Sequence, residues 1–287
     1  MNVPKFWKRE EQSISAPGGR NFLLSCWGWS NKSWQDAKNM ANEKLQRVSA
    51  KALTSAPLEQ YPYGRSPLRE ETIESIEERQ GEHAAIVTRN AYGALVLNTS
   101  KAMFMDIDLP KDASRSKGFQ WLRKLMGKTD PPAPSAEDQI LARIELWAQR
   151  QFSLTLRIYR TAAGFRCLIT SHLHDPASAK TKELMEGLGC DPLYIRLCRE
   201  QVSFRARLTP KPWRIKVNHP PWRWPFDNEK QERSFRKWQE SYQRASSSYC
   251  VCRLIRVLGG GKILPEIAPV LEFHDRMCCS TENKPLA

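Results

Sequence analysis

The sequence predicts an α+β protein, with a mainly antiparallel sheet covered by helices. Three observations predict it. Short segments alternate apolar and polar residues and come in pairs around tight turns, as 154–160 and 165–170 do. Capped segments with an apolar stripe read as helices between them. The two kinds do not alternate regularly, as they would in a doubly wound fold. Apolar residues make up 40% of the 287, enough for a real core.

The first twenty residues are polar, carry Ala16-Pro17-Gly18-Gly19, and read as a loose arm. Ser33 caps a helix that runs on through Ala41, Leu45 and Val48. Tyr61-Pro62-Tyr63-Gly64-Arg65-Ser66-Pro67 is a turn-rich linker, and 69–79 reads as a short charged helix with Ile73 and Ile76 as its apolar contacts. Strands follow at 84–88, 94–97 and 102–108, with Asn90-Ala91-Tyr92-Gly93 turning between the first two. Residues 111–134 are a polar, Pro-containing insertion. Ser135 caps a helix with Ile140, Leu141, Ile144, Leu146 and Trp147 as its buried stripe.

Strands at 154–160 and 165–170 flank the turn Thr161-Ala162-Ala163-Gly164. Asp175-Pro176 opens a helix that ends near Gly187 or Gly189, and Asp191-Pro192 opens the next. A sixth strand spans 203–208. Helices at 229–245, 249–258 and 268–277 complete the series. This divides the chain into an N-terminal arm and helical segment (1–80), an α+β core (81–215) and a basic, aromatic and helical extension (216–287).

The formal charge is +14, and it is uneven. Residues 196–256 hold 15 Lys or Arg against 5 Asp or Glu, a net of +10. Such a balance favours an acidic partner, and nucleic acid is the usual one. No run approaches a membrane span and no signal peptide is evident, so a cytoplasmic protein without membrane partners is expected. Eight cysteines are too sparse for a disulfide scaffold. Cys250 and Cys252 with His274, Cys278 and Cys279 offer metal-ligand types. Their Cys-x-Cys and Cys-Cys spacings are tighter than structural zinc sites usually show, so zinc is not expected and free thiols are.

Three constellations could carry chemistry. Asp106 and Asp108 are two residues apart near a strand end, so both point to one face while Met105 and Ile107 point to the other. Like charges so placed favour a cation between them, here Mg²⁺ or Mn²⁺, or they are surface aspartates that begin a turn. Arg160 and Arg166 flank the turn at Gly164 and suit phosphate contacts, or form the solvated end of an ordinary hairpin. Arg205 and Arg207 share a strand face, and Lys211 and Arg214 extend the positive stripe. Trp213, Trp222 and Trp224 follow, with Lys216 and Arg223 interleaved. Cations for phosphates and flat rings for bases are the two parts of a single-strand groove.

Together these segments resemble the archaeo-eukaryotic primase superfamily. Asp106 and Asp108 match its first, metal-binding motif. The segment from Thr161 to Arg166 resembles its second, and Arg207-Leu208-Thr209-Pro210-Lys211 is similar to the basic segment near its third. The resemblance covers roughly 84–215 and implies a core related to RNA-recognition folds. It implies a metal-dependent nucleotidyltransferase acting on single-stranded DNA or RNA with a nucleoside triphosphate. Asp106 and Asp108 would then be catalytic metal ligands, and Arg160, Arg166 and Lys211 nucleotide contacts. Arg205, Arg207, Trp213 and Arg214 would hold nucleic acid. Two departures open an alternative, a non-catalytic nucleic-acid-binding protein on a degenerate fold of this type. Arg166 stands where the family has His, and no third aspartate is evident, Glu200 being the nearest acid before the basic strand.

Overall fold

Alternating side chains and short turns build antiparallel sheets here, and capped apolar stripes build the helices that cover them. The structure, a computed structural model, describes residues 1–15, 21–53, 67–77, 83–110, 134–151, 153–278 and 283–287. Among these, three antiparallel sheets and six α-helices form an α+β protein. The insertion expected at 111–134 lies, up to residue 133, outside the described residues, as does most of the 61–67 linker.

β1 (Phe6–Ser15) and β2 (Asn21–Ser30) form a hairpin against α1 (Trp34–Leu53). This corrects the loose arm: pairing with β2 and burial of Trp7 and Ile14 order the polar segment. A Cβ on Gly28 would collide with the backbone of Ala37 and Ala41, so a glycine is what lets the strand lie this close to the helix.

One four-stranded sheet has the order β3-β4-β5-β9, from β3 (Glu71–Glu77), β4 (His83–Arg89), β5 (Leu95–Thr99) and β9 (Phe204–Arg207). The other has the order β10-β7-β8-β6, from β6 (Met103–Asp108), β7 (Leu156–Thr161), β8 (Gly164–Ile169) and β10 (Cys252–Leu258). Two expected helices, 69–79 and 249–258, are therefore strands. Both carry a register shift, between Thr72 and Glu74 in β3 and between Leu254 and Arg256 in β10. An extra residue there breaks the period of two that would have marked a strand.

The remaining helices are α2 (Ala136–Gln149), α3 (Ala179–Leu188), α4 (Pro192–Gln201), α5 (Glu229–Ser246) and α6 (Ala268–Cys278). Ser135 and Asp138 close a capping box on α2. Of its expected stripe Ile144 is fully buried and Leu146 is exposed. Ser178, not Asp175, caps α3, which ends at Gly189 in the left-handed conformation, and Asp191 with Pro192 starts α4. One core cluster collects residues from Ala84 to Cys278, so strands of both sheets and helix α6 share a single apolar interior. β6 of one sheet runs beside β9 of the other. The Tyr194 hydroxyl lies 2.9 Å from the carbonyl oxygens of both Phe104 and Arg205 and so ties the two strands together.

Candidate nucleic-acid interface

The three expected constellations meet at this seam. Asp106 and Asp108 share the outer face of β6, with Met105 and Ile107 buried behind them. β8 pairs with β6 so that Arg166 lies opposite Asp106. The Arg166 side chain is buried, and its Nε donates to Asp106 Oδ1 at 3.0 Å. Its Nη1 donates to the Arg207 carbonyl at 2.9 Å, which joins β8 to β9, and lies 3.3 Å from His274 Nε2. Burial is the largest influence and opposes the charge on Arg166, but Asp106 together with the nearby sulfurs of Cys252 and Cys278 holds the pKa above its ordinary value. Arg166 was expected to reach a triphosphate. It is instead the internal counter-ion of Asp106, because cross-strand pairing puts the two on one sheet face and there His274 of α6 and the Arg207 carbonyl of β9 enclose the guanidinium.

Arg160 is also committed. It forms a two-point ion pair with Glu137 of α2, donates to the carbonyls of Thr161 and Gly164, and thereby clamps α2 to the β7–β8 hairpin. Gly164 does permit a close backbone approach, but to β6: a Cβ there would collide with the carbonyl of Ile107. Arg205 differs from the expected solvated stripe as well. It is buried, and its Nη2 donates to both carboxylate oxygens of Glu70, at 2.8 and 2.9 Å. Its Nη1 donates to Asn98 Oδ1 at 2.5 Å. The face it shares with Arg207 is covered there by the segment leading into β3.

Arg207, Lys211 and Arg214 remain, and they crowd one another. Burial and then Arg166 pull the Arg207 pKa down to about 10, with Arg214 adding to the fall and Asp106 opposing it. Arg207 Nε is buried with no hydrogen-bond partner. Burial, Arg207 and Arg214 lower Lys211, against Asp108 and Asp106. The chain holds this cluster in place through Thr209 and Pro210. Tyr242 donates to the Pro210 carbonyl at 2.5 Å, and Thr209 Oγ1 accepts from the Leu95 amide at 2.8 Å. A 3₁₀ turn, Pro212–Ile215, then buries Pro212 and Ile215 and leaves Trp213 46% exposed.

Aromatic rings gather at this turn. Trp213 stacks with His219 at 5.0 Å between centroids, meets Tyr92 edge-on at 5.4 Å, and has the Lys211 ammonium 5.5 Å from its ring centre. Sequence reasoning placed Tyr92 in a turn and assigned His219 no role. Neither carries a local signal, since Tyr92 and Trp213 come together through the β5–β9 pairing. Trp222 is exposed further along the same segment. Glu200 lies on α4 beside Arg199 at 3.6 Å, away from the aspartate pair in its contacts.

No protein-family model, curated protein or solved structure matches the chain.

As donors for Mg²⁺ or Mn²⁺, Asp106 and Asp108 do not fit in this arrangement. One oxygen of Asp106 is occupied by a guanidinium, and Arg207 and Lys211 repel a further positive charge. Among the described residues the group of three metal-ligating side chains lies elsewhere. Cys252, His274 and Cys278 bring their donor atoms within 4.8 Å of one another. Cys250 points away, its thiol donating to the Lys284 carbonyl at 3.3 Å, and Cys279 lies outside the described residues. No helix among the described residues is long and apolar enough to cross a membrane.

Proposed function

We propose that the surface formed by Arg207, Lys211, Trp213 and Arg214 binds single-stranded nucleic acid, the three cations contacting backbone phosphates and Trp213 stacking on a base. One observation carries the reading. Burial and neighbouring guanidiniums disfavour the charges on Arg207 and Lys211, and a buried Arg207 N–H is left without an acceptor, so the site is short of negative charge. A phosphate supplies that charge, and Arg presents its donors in a fork that matches phosphate oxygens. The exposed indole beside it adds the sequence-tolerant stacking that single-strand binders use.

Of the two readings drawn from the primase-like resemblance, the ion pair between Asp106 and Arg166 favours binding without catalysis. In this reading Asp106 orients Arg166, which in turn holds the backbone carbonyl of Arg207 itself, and DNA or RNA is the ligand. Titrating a labelled single-stranded oligonucleotide and following anisotropy tests this. Trp213→Ala should weaken affinity about fivefold or more, from the loss of stacking worth ~1–3 kcal/mol per base. Unchanged affinity in both Trp213→Ala and Arg207→Gln would refute it. Incorporation of nucleotide with Mn²⁺, lost in Asp108→Asn, would replace it with the nucleotidyltransferase reading.

A further inference from the structure

We propose that Cys252, His274 and Cys278 form a buried zinc site that staples β10 to α6, separate from the nucleic-acid surface. The three come from two elements. Cys252 opens β10, and His274 and Cys278 are four residues apart on α6, which places both on one helix face. All three are buried. The two sulfurs are 3.5 Å apart, and Cys252 Sγ is 4.0 Å from His274 Nε2. Ligands of a tetrahedral zinc at ~2.3 Å for sulfur and ~2.0 Å for nitrogen stand roughly 3.5–3.8 Å apart. These two separations are close to those the ion imposes, and all three donor atoms lie within 4.8 Å of one another.

The surroundings orient the donors as zinc requires. His274 Nδ1 lies 2.9 Å from Asp275 Oδ1, so a proton on Nδ1 leaves Nε2 a lone pair that lies 3.3 Å from Arg166 Nη1 and 4.0 Å from Cys252 Sγ. Asp275 is itself fixed, accepting from Tyr159 at 2.9 Å and from Arg157 at 2.8 Å. The chain thus carries a carboxylate, a histidine and two thiols in series. Arg166 borders the group, with Nη1 3.3 Å from Nε2. Two thiolates neutralise a Zn²⁺. Loading exchanges two thiol protons for one ion, and the proton count balances as two H⁺ released per zinc bound. Arg166 keeps its bonds to Asp106 and Arg207 while zinc takes the Nε2 lone pair. The fourth position of the ion is unassigned.

The test uses the full chain, purified without chelator, with its metal content measured by mass spectrometry of the elements. One zinc per chain is expected. It should be lost in Cys252→Ala and in Cys278→Ala, and kept in Cys26→Ser, whose thiol lies on β2. Because the alanine variants could fail to fold, Co²⁺ is also added to the metal-stripped wild-type protein. The visible absorption of tetrahedral, thiolate-bound Co²⁺, abolished by competing Zn²⁺, supports the site. A wild-type chain that holds no zinc and gives no such spectrum overturns it, as does a Cys252–Cys278 disulfide found in the freshly purified protein.

Discussion

Asp106 and Arg166 stand opposite each other on β6 and β8 and are joined at 3.0 Å, the arginine wholly inside the protein and the aspartate at its edge. The pair converts a carboxylate of apparent catalytic type into part of the scaffold. It also makes the two aspartates unequal, although they share a strand face. Asp106 neutralises a buried cation, while Asp108 is exposed.

That inequality is measurable. Asp106→Asn leaves the Arg166 charge buried without its carboxylate and should cost about 1–3 kcal/mol, a range reduced for the partial exposure of Asp106. Asp108→Asn should stay within about 0.5 kcal/mol of wild type, as surface substitutions do. Urea unfolding of both variants checks this. Equal midpoints would mean that the ion pair contributes nothing.

A second buried pair ties the segment before β3 to β9. Glu70 accepts twice from Arg205 and once from the Thr88 hydroxyl at 2.5 Å, and both side chains of the ion pair are buried. Glu70→Gln should destabilise by about 3 kcal/mol, since it strands a guanidinium in the interior. Because Arg205 makes no contact at the exposed face, the variant at low denaturant should bind oligonucleotide as wild type does. A large loss of affinity in a folded Glu70→Gln protein would return Arg205 to the interface.

Much of this was legible in the sequence, and the failures share a cause. The strands at 84–88, 94–97, 102–108, 154–160 and 165–170 are short runs rich in apolar residues, most of them bounded by turns, and each was found to within two residues. β3 and β10 were misread because a bulge falls inside each. In β3 it leaves Ile73 exposed and spaces it from Ile76 as a helix would. The residues of the site were also legible, through charge and alternation, but their commitments were not. Glu70 and Arg205 are 135 positions apart and Arg166 and His274 108, so only the folded chain reveals that two of the expected phosphate ligands are already satisfied.

The depressed pKa of Arg207 gives a pH signature. Its charged form is disfavoured in the fold, so charge on Arg207 costs stability below about 10, and the cost fades as pH rises above that value towards the ordinary arginine range. Binding runs the other way, because phosphate needs the charged form. Oligonucleotide affinity at fixed ionic strength should fall several-fold between about pH 9 and about pH 11, with Lys211 contributing to the same loss. Arg207→Gln should show a weaker and flatter profile, with circular dichroism confirming that each sample remains folded. Parallel profiles for the two proteins would remove Arg207 from the site.

The most direct test is the salt dependence of single-strand binding. The affinity of the wild-type chain for a labelled oligonucleotide is measured across a salt series, beside Lys211→Ala and Arg214→Ala. Each substitution should reduce the slope of log affinity against log salt by ~0.7, the counter-ion release of one single-strand phosphate contact. A wild-type slope near zero, or slopes unchanged by both substitutions, would contradict a phosphate-binding surface at Arg207, Lys211 and Arg214.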